Sequence, residues 1–208
     1  MALDTYTSML TAVASNWMHR ADLGTVVEDF VDLFEAEFNA DMRVRQMERT
    51  TSTVSTSGYL VHPAQWREWK QLSWVSGGEK RNLAPISEES VVQLYGREVN
   101  GTPRYYKTRG DKTYLYPTPD TNVTVEATYW EGVTSLSTSQ PTNWLLTQYP
   151  QAYLFGSLSE AAPYVVDDGR IPMWRQKLVD TLNRIKVESE RSERGSQVLK
   201  IRPDISVK

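Results

Sequence analysis

Between Asp4 and Met18 the apolar residues Tyr6, Met9, Leu10, Val13, Ala14 and Trp17 recur at spacings of three and four, which places them on one helical face, with Asp4 as the expected N-cap. After the turn Arg20-Ala21-Asp22-Leu23-Gly24, Thr25 and Glu28 have the spacing of a capping box and predict a second helix from Val26 to Met47. Its apolar stripe is Val26, Val27, Phe30, Val31, Phe34, Phe38 and Met42, while Glu28, Asp29, Asp32, Glu35 and Asn39 are assigned to the other side. The acids gather in its first half and Arg43, Arg45 and Arg49 near its end, as the helix dipole favours. One helical hairpin cannot cover both stripes, so it must pack on something else.

From Thr50 to Ser139 the pattern changes to Thr, Val and Tyr alternating among Gly, Pro and Asn, the composition of short antiparallel strands and turns. Strands are predicted at Tyr59–Val61, Trp66–Val75, Tyr105–Thr108, Thr113–Tyr116 and Val123–Trp130. Gly77-Gly78-Glu79-Lys80 and Arg109-Gly110-Asp111 read as hairpin turns, and Ser87 caps a short helix running to Leu94. After Asn143 the helical period returns: Pro150 suits a first turn, and Tyr153, Leu154, Ser157, Leu158, Ala161, Ala162 and Val165 share a face. The small residues Gly156, Ser157, Ala161 and Ala162 permit close helix contact, Pro163 should kink or end the helix, and Asp167-Asp168-Gly169 closes it. Pro172 opens a fourth helix with Trp174, Leu178, Leu182 and Ile185 inward and Arg184, Lys186, Glu188 and Glu190 in solvent.

Residues 195–208 alternate apolar and polar positions around Pro203, which excludes helix and predicts an extended tail. Val198, Leu199, Ile201 and Ile205 have no obvious local core; they either add to a neighbouring chain as a strand, dock on this chain's own sheet, or fray. Helices, then strands, then helices give an α+β fold. In it, an N-terminal helical hairpin (1–50) and C-terminal helices (141–194) form a helical bundle, an antiparallel β-rich domain (51–140) is inserted between them, and the tail follows.

The chain has 208 residues, enough to bury a core without staples, and no cysteine, which excludes disulfides, thiolate metal sites and cysteine nucleophiles. Lys and Arg number 23 against 26 Asp and Glu, and the cations are scattered, which argues against gripping nucleic acid through its phosphates. The N-terminus lacks the basic start and apolar run of a signal peptide, and no stretch reaches the roughly 18 apolar residues of a membrane span, so no membrane association is expected.

His19 and His62 have no histidine at helical spacing, and Gly77-Gly78-Glu79-Lys80 lacks the glycine spacing of a phosphate loop. Asp167 and Asp168 read as a helix terminus or, alternatively, as a carboxylate pair. No catalytic, cofactor-binding or metal-ligating residue is assigned, and an enzyme would need a dispersed site. Seven tryptophans and 11 tyrosines are the unusual feature: Trp66, Trp69 and Trp74 cluster with Tyr105, Tyr106, Tyr114 and Tyr116 in the β-region. They suit sheet packing and subunit interfaces, as does Trp174, or alternatively a platform for sugars or bases. Glu28, Asp29, Asp32, Glu35 and Glu37 form a solvated helix face or, more sharply, an acidic ring surface near DNA.

Two runs resemble the head-to-tail adaptor family of tailed bacteriophages, of the short-tailed type. The first is Trp17-Met18-His19-Arg20-Ala21-Asp22-Leu23 followed by Phe30-Val31-Asp32-Leu33-Phe34-Glu35-Ala36-Glu37 and Arg43-Val44-Arg45-Gln46-Met47-Glu48. The second, more specific, is Asn143-Trp144-Leu145-Leu146, Tyr149-Pro150, Tyr153-Leu154-Phe155-Gly156, Glu160-Ala161-Ala162-Pro163-Tyr164 and Asp167-Asp168-Gly169-Arg170-Ile171 with Trp174. Tyr105-Tyr106, Gly110-Asp111 and Tyr116-Pro117-Thr118-Pro119-Asp120 agree in order between them.

The resemblance implies a non-enzymatic virion protein at the head–tail junction, assembled in the host cytoplasm as a dodecameric ring. Its partners would be the portal protein above and a tail nozzle or tail tube protein below, with double-stranded DNA passing without sequence-specific binding. Val198, Leu199, Ile201 and Ile205 become portal-contact candidates, and Glu28, Asp29 and Asp32 possible channel-facing acids. The alternatives are another neck or tail completion protein and a carbohydrate-binding tail component.

Overall fold

The computed structural model describes residues 3–96, 99–165 and 169–195. The chain divides into two units, Met1–Gln46 with Val133–Lys208, and Met47–Gly132. Among the described residues the first is helical and the second carries a seven-stranded sheet, so the fold is mixed α and β.

In the helical unit, α1 (Tyr6–Thr11) is capped by Thr5 and not by Asp4. Helical backbone begins at Tyr6, so Thr5 is the residue whose hydroxyl reaches the Ser8 N–H, while the Ser8 hydroxyl takes the Thr5 N–H at 3.0 Å. The helix then widens into a π-helical stretch, Ala12–Trp17, in which the Met18 N–H bonds to Val13 O. Helix α2 (Val26–Asp41) lacks the expected capping box. Thr25 already has helical backbone angles, and the Glu28 N–H is taken by the Thr25 carbonyl at 2.9 Å.

Helix α2 also ends six residues before Met47, because Met42 turns to extended backbone. There the Arg43 guanidinium donates to the carbonyls of Asn39 at 3.0 Å and Met42 at 2.7 Å, satisfying acceptors the ended helix leaves open. A 3₁₀ turn follows at Arg45–Met47. Val27, Phe30, Val31, Phe34, Phe38 and Met42 are buried as the stripe requires, but so are Glu35 and Asn39, which the wheel had placed in solvent.

After the β unit, Asn143 caps α4 (Trp144–Gln148) by accepting the Leu146 N–H at 2.8 Å. Helix α5 (Pro150–Tyr164) is the centre of the unit, buried on most sides because α2 and α6 (Ile171–Gly195) both pack on it, which explains its near-uniform apolar and small-residue composition. Pro163 lies one residue from its end. The close contact expected of the small residues is seen at Gly156, which sits directly against the Phe34 ring. On α6, Trp174, Leu178 and Ile185 are buried, but Leu182 is only half-buried. Thr181 and Ser189 turn inward instead: the Thr181 hydroxyl donates to Lys177 O, and Ser189 Oγ accepts the Arg45 N–H at 2.8 Å. Asp167, Asp168 and the tail residues Val198, Leu199, Ile201 and Ile205 lie outside the described residues.

The sheet is built from β1 (Glu48–Val54), β2 (Tyr59–Val61), β3 (Trp66–Ser76), β4 (Glu79–Pro85), β5 (Tyr105–Arg109), β6 (Lys112–Tyr116) and β7 (Thr124–Glu131), in the order β1-β7-β3-β4-β5-β6-β2. It is not wholly antiparallel as expected: β4 and β5 pair in parallel. Between them the chain passes through α3 (Glu88–Tyr95), capped by Ser87, and such a crossover delivers the next strand in the same direction. Hairpins close at Gly77-Gly78 and Gly110, where positive φ angles of 58°, 85° and 57° suit glycine.

The edge strands β1 and β2 are consecutive in the chain, joined by residues 55–58, a link that lets Val54 and Tyr59 lie at most about 18 Å apart. The sheet must therefore curl until its edges approach. Its interior holds Leu60, Trp69, Leu72, Leu83, Leu115, Val125, Ala127 and Tyr129. Strict alternation would put Trp69 and Leu72 on opposite faces. A bulge between Trp69 and Gln71 resets the parity, so that both point inward opposite Tyr129 and Ala127.

Candidate functional site

The chemically distinctive part of the helical unit is a buried polar clamp. Glu35 is 3% exposed, and its Oε1 accepts the Leu136 N–H at 2.9 Å and the Tyr153 hydroxyl at 2.7 Å. One turn further along α2, Asn39 Oδ1 accepts the Val133 N–H at 2.7 Å. Tyr153 in turn accepts from Asn143 Nδ2 at 2.6 Å, and the same amide donates to Thr134 O at 2.8 Å. Two side chains of α2, one of α5 and the α4 cap thus hold the segment 133–136 as the chain re-enters this unit.

Burial pushes the Glu35 carboxyl above its ordinary range, against the Leu136, Tyr153 and Ser135 hydrogen bonds that favour the anion. The Tyr153 phenol is pushed far above its ordinary range by burial and by the Glu35 charge. An acid and a phenol so placed fix a chain path, since each partner is a backbone group or a side chain of the same unit. Only Asn143, preceding an apolar run, carried a sequence signal for this network. Glu35 and Asn39 carried none, because their partners are about a hundred residues away.

The acids assigned to α2 are otherwise outward: Asp29 and Asp32 are exposed and Glu28 is half-buried. The buried Tyr6 phenol beneath them is pushed up to about 12, first by burial and then by the charges of Glu28, Asp32, Glu35 and Asp29. Trp174 is 4% exposed and packs edge-on to Trp17 at 5.5 Å and in a stacked arrangement with Phe155 at 6.1 Å.

In the β unit the three named tryptophans have different surroundings. Trp69 is buried, and its Nε1 donates to Thr113 Oγ1 at 2.7 Å; that hydroxyl also meets His62 Nε2 at 2.9 Å and Thr108 Oγ1 at 3.1 Å. Trp66 is half-buried and stacks on the His62 ring at 3.8 Å, and burial holds the His62 imidazole below its ordinary pKa. Trp74 is half-buried beside a cavity of about 180 Å³ that Pro103, Pro119 and Asp120 also line. The structure therefore brings Trp66 and Trp69 into ring contact, while Trp74 packs against the same core cluster with the Arg81 guanidinium 5.9 Å from its ring centroid.

Among the described residues no group of three or more acidic or histidine side chains is placed to hold a metal ion. Among them, too, no helix is long and apolar enough to cross a membrane.

Residues 4–201 match the family model described as SU10 adaptor protein. The chain belongs to this family. A search of curated proteins finds no match. The SU10 adaptor match runs through both units and reaches the first part of the tail, and it agrees with the phage head-to-tail adaptor resemblance seen in the sequence. In this adaptor the two distinctive sequence runs meet in space: Phe34 and Glu35 of the first contact Gly156 and Tyr153 of the second. What those runs share is packing and chain-path geometry.

Proposed function

We propose that this protein is a structural subunit of a tailed bacteriophage that assembles as a dodecameric ring between the portal and the tail nozzle or tail tube protein. The ring retains the packaged genome and later conducts it outward. The observation that carries this reading is the adaptor-family match over residues 4–201. It is supported by a helical unit whose two outer helices keep exposed faces, and by a chain with no basic stripe that would hold passing DNA.

In this reading the tail, through Val198, Leu199, Ile201 and Ile205, docks on the portal, and Trp66, Trp74 and Trp174 serve packing or subunit contact. The protein is made in the host cytoplasm and ends in the virion neck. The test is a phage lacking this protein: it should accumulate DNA-filled heads without tails, and purified protein added to those heads should restore tail joining. Tailed, infectious particles made in its absence would overturn the proposal.

A further inference from the structure

Helices α2 and α6 flank α5, and each leaves one face uncovered. On α2 that face runs through Asp29, Leu33, Ala36 and Ala40, with Leu33 53% exposed, and Asp32 and Glu37 border it on either side. Helix α2 contains no lysine or arginine at all. On α6 the uncovered face runs through Val179, Asn183 and Val187, with the two valines 48% and 45% exposed. Lys186 borders that face on one side and Arg184 on the other, and from Arg175 to Arg191 the cations Arg175, Lys177, Arg184, Lys186 and Arg191 outnumber the acids Asp180, Glu188 and Glu190. A groove of about 510 Å³ lies along it, lined by Asp180, Asn183, Arg184, Val187, Glu188 and Arg191.

The two faces complement each other in three respects. Each has a narrow apolar centre, and the small Ala36 and Ala40 would let a partner helix come close. Their net charges are opposite in sign, since α2 carries acids alone and the α6 stretch carries five cations against three acids. Their lengths agree, since the 16 residues of α2 rise about 24 Å, as do those from Arg175 to Arg191. Within one chain the faces cannot meet, because α5 lies between the helices and each face points away from it. A face that fits a different face of the same molecule makes a head-to-tail contact, which propagates from copy to copy and closes into a ring when the rotation allows.

We propose that the α2 face of one copy docks on the α6 face of the next, so that this contact sets the ring of the proposed adaptor function, on which it rests. Asp29 and Asp32 then face a neighbouring subunit instead of the channel.

The test uses DNA-filled, portal-bearing heads lacking the protein, with bound copies counted after adding purified full-length variants. Asp29→Lys with Asp32→Lys should lower occupancy roughly tenfold or more, because like charges then face each other around the ring. Arg184→Glu with Lys186→Glu should do the same. An equal mixture of the two variants should recover occupancy, since each neighbouring pair regains opposite charges, and a single chain carrying all four substitutions should recover it alone. All four positions are exposed, and thermal melts confirm folding.

Unchanged occupancy in either paired variant overturns the contact, as does failure of both the mixture and the fourfold variant to recover it. Wild-type protein that never binds the heads overturns the adaptor reading itself, and the contact with it.

Discussion

Gly156 is where α5 comes closest to α2, and replacing it by alanine should destabilise the helical unit despite alanine's better helix propensity. An added Cβ would lie 2.5 Å from Phe34 Cγ and 2.6 Å from Cε2, where ordinary contact needs about 3.4 Å or more. The ring has little room to retreat. Phe34 is 1% exposed, with Tyr153 edge-on at 5.2 Å and Phe38 tilted at 6.0 Å. Either the ring leaves its rotamer or α5 backs away from α2, and overpacking of this kind costs about 1–3 kcal/mol, at the upper end where a phenyl ring must move.

Alanine recovers at most about 1 kcal/mol of helix propensity. The net expectation is a loss of about 2 kcal/mol, or roughly 4–8 °C in Tm for a chain of this size. Circular dichroism melts and urea titrations of wild type, Gly156→Ala, Phe34→Leu and the double variant measure it. Phe34→Leu alone opens a cavity and should also destabilise, but the smaller side chain accepts the new methyl. The double variant should therefore be more stable than the sum of the singles by about 1 kcal/mol or more. A Gly156→Ala protein as stable as wild type, or singles that simply add, would refute the close-contact argument.

The two units should respond to acid in opposite directions. The Glu35 carboxyl has a raised pKa in the folded state, so folding binds extra protons between the ordinary carboxylate value and the raised one; stability of the helical unit should fall as pH rises through that window, and Glu35→Gln should flatten the slope. His62 has a lowered pKa, so the β unit should hold its stability above about 6.5 and lose it as pH falls below that, a trend that His62→Gln removes; urea melts across pH read both. Asn143→Ala removes the α4 cap and the bonds to Thr134 O and Tyr153 and should cost about 2–3 kcal/mol by urea titration. Truncation after Gly195 should leave the thermal melt unchanged while abolishing tail joining in the head complementation assay, and undiminished joining would remove the tail from the portal contact.

Much of the fold could be read from periodicity where one face of an element is apolar. Val125, Ala127 and Tyr129 alternate cleanly, and β7 was expected almost to the residue. Strands β1 and β4 were not foreseen. The edge strand β1 is mostly Thr and Ser with no buried side chain, and β4 buries only Leu83, so neither shows an alternation to detect. Strand β4 also pairs in parallel with β5, a register that depends on the α3 crossover and leaves no local mark. The end of α2 was overrun because Met42 continues the apolar stripe while its backbone has already left the helix; the Arg43 cap becomes visible only in three dimensions.

Glu35 shows the deeper limit. A helical wheel assigns a carboxylate to water because burying one without partners is costly, yet Leu136, 101 positions away, supplies a backbone donor that makes burial tolerable. The surfaces of α2 and α6 were legible as charge patterns, but that α5 separates them could not be seen until the three helices were placed.

The most direct test of the adaptor account is a cryo-electron microscopy reconstruction of the intact virion neck. The account expects a closed ring of density between portal and tail into which the helical unit and the seven-stranded sheet each fit, once per subunit. Neck density that accommodates neither unit, in virions whose protein inventory lacks this chain, would contradict it.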